Sequence, residues 1–392
     1  MKKLLSGLIS LIIFIAIAAT GAGFFVNSKS LEMADQAIDG LKAEGYELSG
    51  YESLEIDYFD QSASLKNLII EGGAQEFKLR IGEVKFEGIN PISDFSVYIE
   101  NTTLSDVDVT FEGQNYQIKT ITANGLKTTY QPHFERMLAA QNDADTIRIL
   151  HEELSYNGLS FAEFMMRDKA GNVSRVADGS YDKQALFNNL PSQWRAHLTG
   201  MEISQAHLPA ETAQLLKDYE LEDLNGILDV SFDYQSENRT ALFAINNLNF
   251  GGLANLQSDI LLSMTDQHFA ELYDFDNFER NVDALPIEHA ELTYEDFGLY
   301  NYFVAQQAPK MEMTEAVLKS QIFFGLALIS AQVTDLDRRS ELANPLSDFL
   351  QNPAGLKIEF SPAKPVRFQQ YLNVYDANVL VRDLNPSIEY LK

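Results

Sequence analysis

A chain of 392 residues with 57 acidic and 29 basic side chains carries a net charge of −28. Such a field repels nucleic acid and anionic headgroups at long range, and the sequence holds no basic stripe of the kind that nucleic-acid binding needs. The absence of cysteine excludes disulfides, thiolate metal sites and a cysteine nucleophile, and an apolar fraction of 45% is that of a folded globular protein.

The first 26 residues are the most apolar. Met1-Lys2-Lys3 precedes a run from Leu4 to Val26 with no Asp or Glu before Glu32. About 20 apolar residues are needed to cross a bilayer as a helix, so residues 4–26 are expected to anchor the chain in the inner membrane. The two lysines mark the cytoplasmic side, which places the remainder in the periplasm. Ala16-Ile17-Ala18 and Thr20-Gly21-Ala22 would suit cleavage of a signal peptide. The apolar run continues beyond both, which favours an uncleaved anchor. Lys2 and Lys3 are the only charges before residue 28, so residues 28–392 carry −30.

Residues 28–48 have apolar side chains at helical spacing (Leu31, Ala34, Ala37, Ile38, Leu41). The period then changes to two. Leu54, Ile56 and Tyr58 alternate with Ser53, Glu55 and Asp57, and residues 50–130 read as a meander of short antiparallel strands. From Pro132 to Trp194 the spacing again predicts helix. Phe134, Met137 and Leu138 form one stripe, and Phe161, Phe164 and Met165 come after Ser160, a predicted N-cap. A second strand region covers 199–264, with strands at Ile227–Phe232, Ala241–Phe250 and Leu256–Met264 and a short helix after Pro209. The hairpin pattern of 54–70 returns weakly at 228–248. Residues 286–352 are expected to be mostly helical after a strand at Ala290–Tyr294, and Met313 to Val333 is the most apolar helix outside the anchor. Its run from Ile322 to Ala331 is too short to span a bilayer. Leu356–Phe360 is a strand, and the C-terminus reads as edge strand and loop.

These elements give an expected α+β fold: a transmembrane helix, then antiparallel amphipathic sheet regions with helices packed on one face. The boundaries are 1–27 for the anchor or signal, 28–130 for a helix and β-meander, 131–198 for a helical segment, and 199–392 for a second β-region with C-terminal helices.

No motif commits the chain to catalysis. The six histidines (His133, His151, His197, His207, His268, His289) include no i, i+4 pair and no His-Glu-x-x-His. Gly158-Leu-Ser160 lacks the second glycine of a nucleophile elbow. Asp274-Phe-Asp276-Asn277-Phe-Glu279 lacks the glycine and the terminal glutamate of a calcium loop. Gly72-Gly73 and Gly251-Gly252 read as turns between strands. No metal or cofactor is expected.

Ala290-Glu-Leu-Thr-Tyr-Glu-Asp-Phe-Gly-Leu299, Asp348-Phe-Leu-Gln-Asn-Pro-Ala-Gly-Leu-Lys-Ile358 and Ser361-Pro-Ala-Lys-Pro-Val366, taken with the strand meanders, resemble uncharacterised envelope proteins of Gram-negative bacteria, in particular the AsmA-like and YdgA-type proteins. The likeness is one of style over the anchor, both strand regions and the last hundred residues. It implies an N-terminal membrane helix, long amphipathic periplasmic sheets and a role in lipid traffic or envelope maintenance. It carries over no functional residues.

An amphipathic sheet must bury its apolar face, and a face only partly covered forms a groove that suits an acyl chain. The expected lining is Ile322, Phe323, Phe324, Leu326, Leu328 and Ile329 on the apolar helix, facing Ile227, Val230, Leu242 and Ile245 on strands. A closed core made of the same residues is the bland alternative. The sequence is compatible with three functional readings: a non-enzymatic lipid binder, a structural protein whose sheets dock an envelope partner, and a hydrolase whose site leaves no motif.

Overall fold

The structure, a computed structural model, describes residues 46–392 apart from 58, 73–76, 94–95, 130–144, 146–147, 149–153, 209, 219, 275–276 and 372–375. The expected anchor, most of the expected helix at 28–48 and the stripe at Phe134–Leu138 lie outside the described residues. The chain divides into two compact units, 1–191 and 192–392.

The first unit is an antiparallel meander. Its strands are β1 (Tyr46–Gly50), β2 (Ser53–Asp57), β3 (Ser62–Gly72), β4 (Phe77–Ser93), β5 (Ser96–Phe111), β6 (Gln114–Thr129), β7 (Leu154–Ser155), β8 (Gly158–Arg167) and β9 (Val173–Phe187). β1 and β2 pair with successive halves of β3, and β3, β4, β5, β6, β8 and β9 pair in that order. Leu65, Leu68, Ile70, Leu79, Ile81, Val84, Phe86, Ile89, Ile99 and Leu104 all belong to one buried cluster.

Strict alternation would not put these residues on one face. Along β4 the buried positions run 77, 79, 81, then 84 and 86, then 89, so the inward phase shifts twice by one residue. Each shift occurs at the same level in all the strands that it crosses. One row runs through Asn67, Gly82, Asp106, Lys119, Glu163 and Ala177, each of which falls at a gap in otherwise constant pairing. The other runs through Gly88, Glu100 and Gly125. Asn67, Asp106 and Glu163 take φ values of 52°, 53° and 53°. Gly88 sits at φ 65°, where a side chain is strained, and a Cβ there would lie 2.6 Å from that of Glu100. Because all strands shift together, register survives and the apolar face stays continuous.

The same device explains the first correction. The expected helix is overturned from 154 to 198, which β7, β8 and β9 and the start of the next strand occupy; of residues 131–153 only Asp145 and Arg148 are described, and both are helical. Phe161 and Phe164 are three apart because Glu163 shifts the phase between them, and that spacing imitates a helix. Ser160, expected as an N-cap, pairs with Thr122 and Ser180 in mid-strand. Tyr46–Leu48, expected to end a helix, belong to β1.

The second unit contains β10 (Leu190–Ser204), β11 (Asp223–Gln235), β12 (Thr240–Phe250), β13 (Ala254–Ser263), β14 (Ile287–Asp296), β15 (Gly355–Phe360) and β16 (Pro386–Leu391), paired antiparallel in chain order. Its described helices are α1 (Ala210–Asp218), α2 (Asp266–Glu271), α3 (Phe278–Asp283), α4 (Leu299–Lys310), α5 (Glu315–Ser330), α6 (Leu336–Gln351) and α7 (Ala377–Leu384). The α+β expectation is thereby corrected. Long antiparallel meanders dominate the described residues, and helices enter as insertions between strands of the second unit. Among the described residues no single helix is long and apolar enough to cross a membrane.

One face of the second sheet is aromatic. Trp194 stacks on Phe232 at 5.9 Å, and Phe269 of α2 lies flat on Tyr234 at 4.5 Å. Phe349 of α6 meets Tyr294 and Tyr300 edge-on. Burial of this kind predicts a clear contrast in the first unit. Phe86→Ala, at a fully buried position, should cost about 3–5 kcal/mol. Phe59→Ala, 99% exposed, should stay within about 0.5 kcal/mol of the parent. Urea denaturation of the two variants checks this.

Candidate functional site

The helical insertion between β14 and β15 places the candidate site. Its entry is fixed by Asp296, which is 7% exposed. Its carboxylate accepts the Gly298 and Tyr300 amides at 2.8 Å each and the Tyr294 hydroxyl at 2.6 Å. Gly298, at φ 134°, makes the turn into α4. α4 and α5 meet at 107°, and the Thr314 hydroxyl caps α5 by accepting from the Val317 amide. The corner is filled by Val304, Ala308 and Leu318, with Tyr300, Met313 and Ile322 against them. Lys319 donates to Asn301 at 2.8 Å.

α5 therefore points Leu318 and Ile322 inward and leaves its other side open. Val317, Phe323, Phe324, Leu328 and Ile329 are 43–64% exposed. Ala316, Val317, Ser320, Gln321, Phe323, Phe324, Ala327 and Leu328 are all exposed and span an arc of about 160° at 3.6 residues per turn. A depression of about 450 Å³ runs along it, lined by Ala316, Val317, Ser320, Gln321, Phe324 and Gly325. Nine of the sixteen large apolar side chains exposed among the described residues fall between Phe297 and Leu336. That clustering makes the surface a ridge rather than the scattered apolar exposure normal for any protein.

The polar groups of the ridge are turned back on the protein. The Ser320 and Ser330 hydroxyls donate to the carbonyls four residues earlier, Ala316 and Leu326, at 2.8 Å each. Beyond the helix end, Arg339 donates to the carbonyls of Ala331 and Val333, and Asn378 donates to that of Gln332 at 2.8 Å.

Of the expected lining, Ile322 and Leu326 are half-buried, whereas Phe323, Phe324, Leu328 and Ile329 face outward. The strand residues are not gathered with them. The neighbours of α5 are α4 and α6. The pleat also divides the strand set. Val230 pairs with Ile245 on the aromatic face, while Leu242 pairs with Asp233 and sits with Ile227 on the opposite face. Sequence reading missed the outer positions Ala316, Val317, Ser320 and Gln321. For Ser320 and Gln321 the signal was a lack of charge, since no ionisable residue occurs from Ser320 to Thr334, whereas Ala316 and Val317 lie between Glu315 and Lys319 and gave no such signal.

A second cluster lies on the polar face of the same sheet. Asp229, 5% exposed, accepts from Nε and Nη2 of Arg195 and from Asn246 at 3.1 Å, with His197 Nδ1 at 3.5 Å. The hydrogen bond from Arg195 holds its carboxyl below the usual carboxylate range, with Asn246 adding to the effect. Among the described residues no three His, Asp or Glu side chains are grouped to hold a metal.

A family model described only as an uncharacterised protein matches residues 246–390, from within β12 to within β16 and including α2 to α7. No curated protein matches the chain.

Asp229 gives a prediction with a defined sign. Its folded pKa is depressed, so its contribution is complete above about pH 4 and is lost as acid protonates the folded carboxylate. Asp229→Asn should therefore destabilise the protein by about 1–2 kcal/mol at neutral pH, and the difference from the parent should shrink steadily below about pH 4. Urea titrations at several pH values measure both.

Proposed function

We propose that the chain is a non-enzymatic protein of a bacterial envelope, anchored in the inner membrane through residues 4–26, which engages lipid acyl chains with the outer face of α5. One observation carries this reading: an uncharged, largely apolar helix face stands exposed in a chain of net charge −28. Water solvates such a face poorly, at about 25 cal/mol for each Å² of apolar surface. An acyl chain is the ligand that asks nothing of it but apolar contact. The resemblance to AsmA-like envelope proteins agrees with lipid as the ligand class, and the N-terminal apolar run agrees with attachment to the membrane.

The lipid reading assigns the ridge a different geometry from the groove expected between helix and strands. The contact is one-sided, with α4 and α6 behind the helix rather than a sheet in front of it. Binding of this kind needs no general acid, base or metal.

Native mass spectrometry of the full chain, released from a non-ionic detergent, tests the proposal. The parent should retain phospholipid. A Phe324→Asp/Leu328→Asp variant should lose it while keeping its circular dichroism and melting temperature, because both side chains are exposed and surface changes cost little. Equal lipid retention by parent and variant would overturn the assignment to α5.

A further inference from the structure

Resting on the lipid reading of α5, we propose that the α4–α5 corner is a one-leaflet membrane seat: α5 lies along the surface of a bilayer with electrically neutral headgroups, its outer face among the acyl chains. Three independent features select an intact bilayer over an extracted lipid, a protein partner or a second copy.

The first is length. Sixteen residues make a helix of about 24 Å, short of the roughly 30 Å hydrocarbon core, and the 107° corner prevents α4 from extending it. With α4 and α6 behind it, only the outer arc of α5 is open to a bilayer, so the helix would lie in the interface plane. The depression along it is lined from α5 alone among the described residues. A carrier of single lipids instead covers most of its ligand's surface.

The second is the treatment of polar groups. Hydrocarbon has no water to satisfy a hydroxyl or a carbonyl. Ser320 and Ser330 are bonded to their own helix. The amides of Ala331, Gln332 and Val333 cover the carbonyls of Ala327, Ile329 and Ser330. Arg339 and Asn378 then cover the next three carbonyls. A protein partner would be expected to meet hydrogen-bonding groups at such a surface, since interfaces carry about one hydrogen bond per 100–200 Å². Here Gln321 is the single polar side chain on the outer face that has not been turned inward or placed at an end.

The third is charge. Residues 299–334 contain Lys310, Glu312, Glu315 and Lys319 and no other charge, so they sum to zero. Lys319 is held by Asn301, with its ammonium 5.8 Å over the Tyr300 ring. The neutral segment therefore has no basic rim to attract anionic headgroups, and the acidic remainder of the chain repels them. Neutral headgroups are the class this surface accepts.

The absence of cysteine makes the test clean. Phe324→Cys, Leu328→Cys and, as a control in the exposed turn after β11, Glu237→Cys are each made in the full chain, labelled with nitrobenzoxadiazole and reconstituted into phosphatidylcholine vesicles. Labels at 324 and 328 should shift to the blue. Nitroxides on the acyl chains should quench them, and they should resist aqueous iodide several-fold better than the label at 237. A phosphatidylcholine–phosphatidylglycerol mixture should reduce that protection at low salt, and high salt should restore it. If iodide reaches 324 and 328 as readily as 237 while native spectra still show lipid lost with the double aspartate variant, the bilayer seat is wrong and lipid engagement stands. If the labels are protected in proportion to protein density without quenching by nitroxide lipid, and no lipid is retained, both readings fall and a second copy is the occupant.

Discussion

Register is the constraint on which the first unit depends. A strand that slips by one residue turns its whole apolar set to the opposite face, yet the long strands from β3 to β9 carry phase shifts along their length. They remain compatible because every strand shifts at the same level. Asn67, Gly82, Asp106, Lys119, Glu163 and Ala177 form one such level. Lys119 and Glu163 also bridge there at 2.7 Å, an exposed pair that ties two neighbouring strands without itself contributing much. A shift confined to one strand would instead have broken the pairing on both sides of it.

That collective device decides what was legible in the sequence. Leu54 to Tyr58 alternate without interruption and read directly as strand. In Leu65–Leu68 and Ile81–Val84 the spacing of three was absorbed by longer stretches of alternation around it. In β8 the shift at Glu163 falls mid-strand, so Phe161, Phe164 and Met165 present the spacing of a helix and outweigh the rest. No local propensity corrects this, because the partners that enforce the strand, Ile118 and Ile121 on one side and Val176 and Gly179 on the other, are distant in sequence. The strands after residue 223 have register shifts of their own, at Asp229/Val230, Ile245/Leu248 and Leu261/Leu262, but the runs of alternation between them kept β11 to β15 legible.

The candidate site was legible in the same partial way. The length, position and apolar character of α5 come from Met313 to Val333 alone. Which side of it faces solvent does not, because the burial of Leu318 and Ile322 is set by Val304 and Ala308 across the corner. A sequence shows that a helix is apolar on several sides; only its neighbours show which side is left over. The strand half of the expected groove failed for a different reason. Residues 227, 230, 242 and 245 are all apolar, but a shift between Asp229 and Val230 in the pairing of β11 with β12, and the pleat itself, assign them to opposite faces.

The second unit sets two faces of one sheet against each other. Its aromatic face is closed by Phe269 and Phe349, and its polar face carries cross-strand pairs such as Arg195–Asp229 and Glu291–Lys357. Among its described strand residues only two large apolar side chains, Leu242 and Phe250, are exposed, each at 38%, so most of the sheet satisfies itself. The insertion between β14 and β15 breaks that rule. It buries enough of α4 and α5 to fix their angle and leaves the rest of α5 uncovered, while Arg339 and Asn378, from α6 and α7, complete its C-terminal end. Two further helices thus supply hydrogen bonds to a helix terminus that water could have solvated equally well. That arrangement is explained if water is excluded from α5 when the protein is in place, which is the condition that an apolar phase against its outer face would impose.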